Sequence, residues 1–264
     1  MVKKIGCFIT GAWTEAGAMT SFLKKINSNY EYIQLLPNKP KYKRGLSPEV
    51  NGFTGDSLIK EIYRRVERYG AEYSDYSAFI IEDDTDYRFY NMSVDEFTQY
   101  KANIQKKIED LMKKEIPVFF LYASPEIEAW FLCDWDNSFS KVYQNDFFVN
   151  RLRGYIDKNI VKDYWKLGIE KFGINDGTYR KLSDEIMAAA QIGVKQELEQ
   201  TIGTENIEKS ALTKVQTILS DRSLYYSKRD HGDQMLRFIY PENLLEKCSH
   251  VFAPVYRALH RFSS

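Results

Sequence analysis

The run Ile116-Pro-Val-Phe-Phe-Leu-Tyr-Ala123 constrains the fold more than any other stretch of this chain. It is almost continuously apolar, with large side chains at both parities. A strand that buries one face alternates apolar with polar residues. One without alternation needs cover on both faces, which is the situation of strands in parallel sheets sandwiched between helices. The sequence before it supplies those helices. Lys4 to Thr10 reads as a short strand, and Met19, Phe22, Leu23 and Ile26 then recur at helical spacing. Tyr30 to Leu36 is a second strand, Ser57 to Arg68 an amphipathic helix, and Ala78 to Ile81 a third strand. Ser93 caps a helix that runs through Lys114, with Phe97, Ile104, Ile108 and Leu111 as its apolar stripe. This alternation predicts an α/β fold with a mostly parallel sheet and helices on both faces.

After Ala123 the texture changes. Ser124 is placed as an N-cap, Pro125 as the first helical residue and Glu126 in the first turn of a helix running to Asp134. Most later segments have helical spacing, and few have strand character. The expected organisation is an α/β core over residues 1–135 and a mainly helical C-terminal portion over 136–264. The loop containing Pro37, Pro40 and Pro48 is longer than a connection requires, which makes it a candidate for substrate contact or for disorder.

The third strand empties into charge: Phe79-Ile-Ile-Glu-Asp-Asp-Thr-Asp86 places four acids within five residues. Taken singly, such acids also suit a helix cap or a solvated turn. Acids follow the other strands too, with Glu15 after the first and Glu126 and Glu128 after the fourth. Parallel strands end on one side of a sheet, where ligands of open α/β folds gather, so these carboxylates can converge. Asp84 and Asp86 share a face if the backbone there is still extended. Glu126 and Glu128 are about 200° apart on a helix, so one of them faces inward. Glu128 lies closer to the apolar Phe131 and Leu132 and is the expected ligand, with Glu126 left to the helix N-terminus. Several carboxylates in one pocket repel each other unless a divalent cation offsets them. Mg²⁺ or Mn²⁺ there would polarise a phosphate oxygen and hold a water for in-line attack, which is phosphodiester hydrolysis.

Composition narrows the alternatives. Lys plus Arg and Asp plus Glu number 37 each among 264 residues, so attraction for nucleic acid has to come from local patches such as Lys39 to Arg44. Cys7, Cys133 and Cys248 are far apart, which argues against a disulfide framework and a zinc ribbon and fits a reducing compartment. The three histidines show no paired metal-ligand spacing. No N-terminal signal pattern and no run of 18 apolar residues is present, so the expectation is a soluble, cytoplasmic protein with no membrane span. Lys228 is a candidate phosphate contact, Trp130 reads as core, and His231 beside Asp230 reads as part of a local turn.

The turn ending in Thr14-Glu15, the strand leading to Asp84-Thr-Asp86, and Pro125-Glu-Ile-Glu-Ala-Trp-Phe-Leu132 together resemble the Toprim (topoisomerase-primase) domain. More closely, they resemble small bacterial Toprim-like proteins related to RloB and the OLD-family nucleases. Tyr226-Ser-Lys228 followed by Gly232, Ile239, Cys248, Phe252 and Leu259 is similar to the end of an uncharacterised branch of that class. The resemblance implies a Toprim-like fold and Mg²⁺-dependent cleavage of DNA or RNA. It implies Glu15, Asp84 and Asp86 as metal ligands; joined to the Glu128 and Lys228 readings above, the expected catalytic residues are Glu15, Glu128 and Lys228. It also implies a role in antiphage defence beside an OLD- or ABC-type ATPase, and is compatible with an oligomer. One departure stands out: the family pattern Glu-Gly-x-Thr-Glu is replaced by Thr10-Gly-Ala-Trp-Thr-Glu15, with one extra residue and no acid before the glycine. The alternative is a non-catalytic Toprim-like binding or regulatory subunit, and a third reading is a phosphohydrolase of small nucleotides.

Overall fold

A computed structural model of the chain describes residues 3–11, 17–37, 52–143, 145–173, 180–193, 195, 213 and 226–263. Its four strands are β1 (Lys3–Ile9), β2 (Tyr30–Leu36), β3 (Tyr76–Asp84) and β4 (Val118–Ala123). They form one sheet in the order β2-β1-β3-β4, and every neighbouring pair is parallel. From β1 the chain steps outward to β2, then crosses back to β3 and outward again to β4. The order therefore reverses between β1 and β3, and the crevice outside their carboxyl ends is where such sheets receive ligands.

Right-handed crossovers in opposite directions put the connecting helices on opposite faces. Helix α1 (Met19–Ile26) packs on one face, burying the expected Met19, Phe22, Leu23 and Ile26 beside Ile5, Cys7, Ile9 and Ile80. Helices α2 (Gly55–Tyr69) and α3 (Val94–Met112) cover the other, against Phe8, Phe79 and Ile81. Alternate residues of β3 thus enter two separate cores, which explains the unbroken apolarity of Ala78 to Ile81. Ser93 caps α3 as expected, and Glu96 returns a hydrogen bond to its backbone.

The α1 face is completed by the C-terminal half of the chain. There follow α4 (Glu128–Cys133), α5 (Phe139–Tyr143), α6 (Asp146–Asn159), α7 (Tyr164–Leu167), α8 (Leu182–Ala188), α9 (Lys228–Phe238) and α10 (Phe252–Arg261). One apolar cluster runs from β1 and β3 through α1 and α4 into α9 and α10. Among the described residues no helix is long and apolar enough to cross a membrane.

Two local expectations are corrected. The third strand does not stop at Ile81 but continues through the acids, because Glu82, Asp83 and Asp84 pair with Leu121, Tyr122 and Ala123 of β4. The helix after β4 starts at Glu128 rather than just after Ser124. The Ser124 hydroxyl is used elsewhere: it donates to the Glu170 carbonyl at 2.8 Å and accepts from Thr85 Oγ1 at 3.1 Å.

Candidate functional site

The carboxyl ends of β3 and β4 are tied together past the sheet. The Thr85 amide donates to the Ala123 carbonyl and the Asp86 amide to the Pro125 carbonyl, each at 2.8 Å, so the two strand-end loops advance side by side. Asp84, the last residue of β3, then accepts from the Ile127 amide at 2.9 Å through Oδ1. Its other oxygen, Oδ2, meets Lys228 Nζ at 3.1 Å. The same ammonium lies 3.5 Å from Glu128 Oε2, and Glu128 Oε1 accepts from the Tyr226 hydroxyl at 2.7 Å. Glu128 is wholly buried, whereas about a third of the Lys228 side chain faces solvent. Three elements distant in sequence therefore deliver two carboxylates and one cation to a single point at the carboxyl edge of the sheet.

Around this point lie three more buried acids. Glu82 shares the face of Asp84, two residues along the same strand. It is wholly buried and accepts from the Thr10 amide at 3.2 Å. Asp83 points to the opposite face, where it accepts from the Gly55 amide at 2.9 Å and from Arg88. Gly55 opens α2 at a φ of 56°, a left-handed conformation that glycine adopts without the steric cost of a Cβ. Burial pushes the Asp83 carboxyl above its ordinary value, and the Arg88 charge opposes that rise. Glu126 accepts from the Ser183 amide at 3.1 Å and from the Ser183 hydroxyl at 3.0 Å. Burial, and then the neighbouring Glu128, push its carboxyl upward. Glu126 thus serves a helix N-terminus, but that of α8 rather than of its own helix.

The residues expected at the site divide accordingly. Asp84, Glu128 and Lys228 are brought together. Asp86 sits just beyond β3 at a φ of 45°, so the extended backbone on which Asp84 and Asp86 would share a face ends before it. Parity along the strand pairs Glu82 with Asp84 instead, a pairing readable in the sequence once β3 is known to include the acids. Glu15, the Lys39 to Arg44 patch and most of the proline-containing loop fall outside the described residues. Tyr226 joins the site without a local signal: its position two residues before Lys228 does not announce the hydrogen bond it donates to Glu128. Trp130 is core, fully buried and stacked on Phe22 at 5.3 Å. His231 accepts from the Ser227 amide at 3.0 Å, closing the local turn at the start of α9.

Among the described residues no cluster of three or more His, Cys, Asp or Glu side chains could hold a metal ion. The oxygen donors that do converge, Asp84 and Glu128, are nonetheless of the kind and number that Mg²⁺ takes from proteins, since it completes its shell with water and phosphate oxygens. Their shared contact with one ammonium marks a position suited to positive charge. No family model, no curated protein and no solved structure matches the chain.

Proposed function

We propose that this chain is a Toprim-like nuclease that hydrolyses nucleic-acid phosphodiesters with Mg²⁺ or Mn²⁺, acting in prokaryotic antiphage defence beside an OLD- or ABC-type ATPase. The observation that supports the reading is the meeting of Asp84, Glu128 and Lys228 outside the carboxyl ends of β3 and β4. The ion would supply charge stabilisation and an activated water, held by Asp84 and Glu128, with Glu15 and Asp86 as the remaining acids of the family pattern. Lys228 is partly exposed and can turn toward a phosphate while still balancing the acids. Tyr226 fixes the orientation of Glu128 through its hydroxyl. The Asp84 bond to the Ile127 amide holds that carboxylate at the mouth of α4.

The test is cleavage of plasmid DNA, single-stranded DNA and RNA by the purified chain with Mg²⁺ or Mn²⁺. The expected outcome is metal-dependent cutting that falls about 100-fold or more in Asp84→Asn and in Glu128→Gln. Equal cutting by parent and variants would remove these residues from the chemistry. One observation favours a second reading, a non-catalytic binding or regulatory subunit: Thr10, not an acid, follows β1 at the crevice. Metal-dependent turnover eliminates that reading, and a preference for mononucleotides over polynucleotides would transfer the site to small-nucleotide phosphohydrolysis.

A further inference from the structure

Two of the three cysteines, 115 positions apart in the chain, meet inside the protein. Cys133 is the last residue of α4, and Cys248 lies in the segment just before α10. Their Sγ atoms are 3.5 Å apart and share a thiol hydrogen bond. Both are free thiols. The backbone holds them there. The Cys248 amide donates to the Leu244 carbonyl at 2.7 Å, and its carbonyl accepts from the Ala253 amide at 3.0 Å. The Cys133 carbonyl accepts from Lys247 Nζ at 3.4 Å, so the chain neighbour of one cysteine clasps the other. Cys7 is placed differently: it is buried in β1, and its thiol donates to the Ile5 carbonyl at 3.8 Å.

Two sulfurs in contact need close only from 3.5 Å to the disulfide bond length of about 2.05 Å. The entropy of bringing them together across more than 100 residues has already been met by folding. The two are unequal in access. Cys133 is 7% exposed and Cys248 0%, so a reagent from solvent meets Cys133 first. Leu132, Lys247 and Ser249, which flank the pair in the chain, line a cleft of about 390 Å³ through which a small oxidant can approach. The hydrogen bond to Cys133, and then burial, push the Cys248 thiol above its ordinary value, while the Lys247 charge opposes that rise. Cys248 is thus suited to resolve an oxidised Cys133 rather than to react first.

We propose that Cys133 and Cys248 form a reversible oxidation site, which a hydroperoxide closes to an intramolecular disulfide. The Cys133 thiolate attacks one oxygen of hydrogen peroxide and the O–O bond breaks. The sulfur is oxidised to a sulfenic acid, and the second oxygen leaves as hydroxide and takes a proton to become water. The Cys248 sulfur then bonds to Cys133 Sγ, the S–O bond breaks, and the departing hydroxide takes the proton that Cys248 gives up. Two thiols and one peroxide become one disulfide and two waters. A small thiol reductant reverses the bond by exchange, so in a reducing compartment the pair rests as thiols and closes when peroxide rises. The bond ties the end of α4 remote from Glu128 to the segment that opens α10. A crosslink closing so long a loop stabilises a fold mainly by restricting the unfolded chain. The site is separate from the Asp84, Glu128 and Lys228 cluster and holds whether or not that cluster cuts.

The experiment treats the reduced full-length chain, under native conditions, with a small molar excess of hydrogen peroxide. Remaining thiols are then alkylated in denaturant and the unreduced digest is mapped by mass spectrometry. The expected result is a crosslinked peptide pair containing Cys133 and Cys248, an alkylated Cys7, and full reversal by dithiothreitol. The melting temperature of the oxidised chain is expected to rise by about 5 °C or more. Cys133→Ser and Cys248→Ser are each expected to lose the crosslink and the rise. Because both side chains are in the core, the peptide map of the parent decides the matter if a variant folds poorly. Three alkylated cysteines after peroxide, Cys133 driven to sulfinic acid with Cys248 left as a thiol, or a bridge that includes Cys7 overturns the proposal. So does a Cys133–Cys248 bridge that lowers the melting temperature, since the fold would then oppose the bond.

Discussion

Lys228 decides how the acidic cluster is balanced. Its ammonium lies between Asp84 and Glu128, and Glu128 has no exposure through which water could screen it. Truncating one partner of a buried charge cluster leaves the others uncompensated, which costs more than the net worth of the pair. Lys228→Ala is therefore expected to lower the melting temperature by several degrees, on the order of 1–2 kcal/mol after allowing for the solvent that reaches this lysine. If a divalent ion suits the same position, Mg²⁺ or Mn²⁺ recovers most of that loss in the variant and stabilises the parent less. Thermal unfolding of both proteins with and without metal reads this directly, and a variant that ignores the metal would place the ion elsewhere. Asp84, Glu128 and Lys228 were all legible in the sequence, because acids after strands and a lysine in a resembling motif are local signals. Their mutual distances were not, since they depend on how α9 returns to the sheet nearly 100 residues after α4.

At the scale of elements, buried carboxylates act as fasteners between segments. Glu170 accepts from the amides of His250, Val251 and Phe252 at 2.7, 3.1 and 2.9 Å, satisfying the first turn of α10 from a distant part of the chain. Glu126 does the same for α8 through Ser183. Sequence reasoning looks for caps next to the helix they serve, so it placed Ser124 and Glu126 at the start of α4. Tertiary contacts took both away, and α4 is the shorter for it. The burial of Glu126, with Glu128 beside it, also sets a pH dependence, which the Ser183 bonds oppose. Its carboxyl is raised above the ordinary value of 4.5, so the folded chain holds this proton more tightly than the unfolded chain does. The sign follows from linkage: the contribution of this group is most favourable at low pH and is lost as pH rises through the window from 4.5 to the raised folded value. Glu126→Gln removes that titration while keeping an acceptor for Ser183. The melting temperature of the parent minus that of the variant is expected to rise on acidification from about pH 8 to about pH 5. A difference that stays flat would mean the carboxyl titrates alike in both states. Asp83 and Glu170 shift in the same direction but are present in both proteins and cancel in the comparison.

For the whole molecule, the question is whether the α/β part stands without the helices that follow it. The strand pattern, the helices on both faces and the parallel sheet could be read from apolar periodicity alone. The order β2-β1-β3-β4 could not, because strands of similar composition carry no label for their neighbours. Nor does periodicity reveal that the two halves share one core. Phe22 of α1 stacks on Trp130 of α4 at 5.3 Å, and Trp130 meets Phe252 of α10 at 5.0 Å. Lys25 of α1 reaches the carbonyls of Arg237 and Ile239, and Asn27 reaches the Leu259 carbonyl. A fragment ending at residue 135 would keep α2 and α3 on one face and α1 on the other, but would uncover Phe22 and Trp130 where Phe252 covers them, and β4 where α10 packs with Phe262 against Phe119. Each large apolar side chain so exposed forfeits about 1.5–3 kcal/mol, and a handful exceeds the whole stability of an ordinary domain. The expected outcome is that the full chain unfolds in one cooperative transition, while the 1–135 fragment shows no cooperative melting by far-UV circular dichroism and binds hydrophobic dye. A fragment that melts cooperatively near the temperature of the parent would show that the sheet is sufficient by itself, and that the C-terminal helices contribute Lys228 and Tyr226 to the site without holding up the fold.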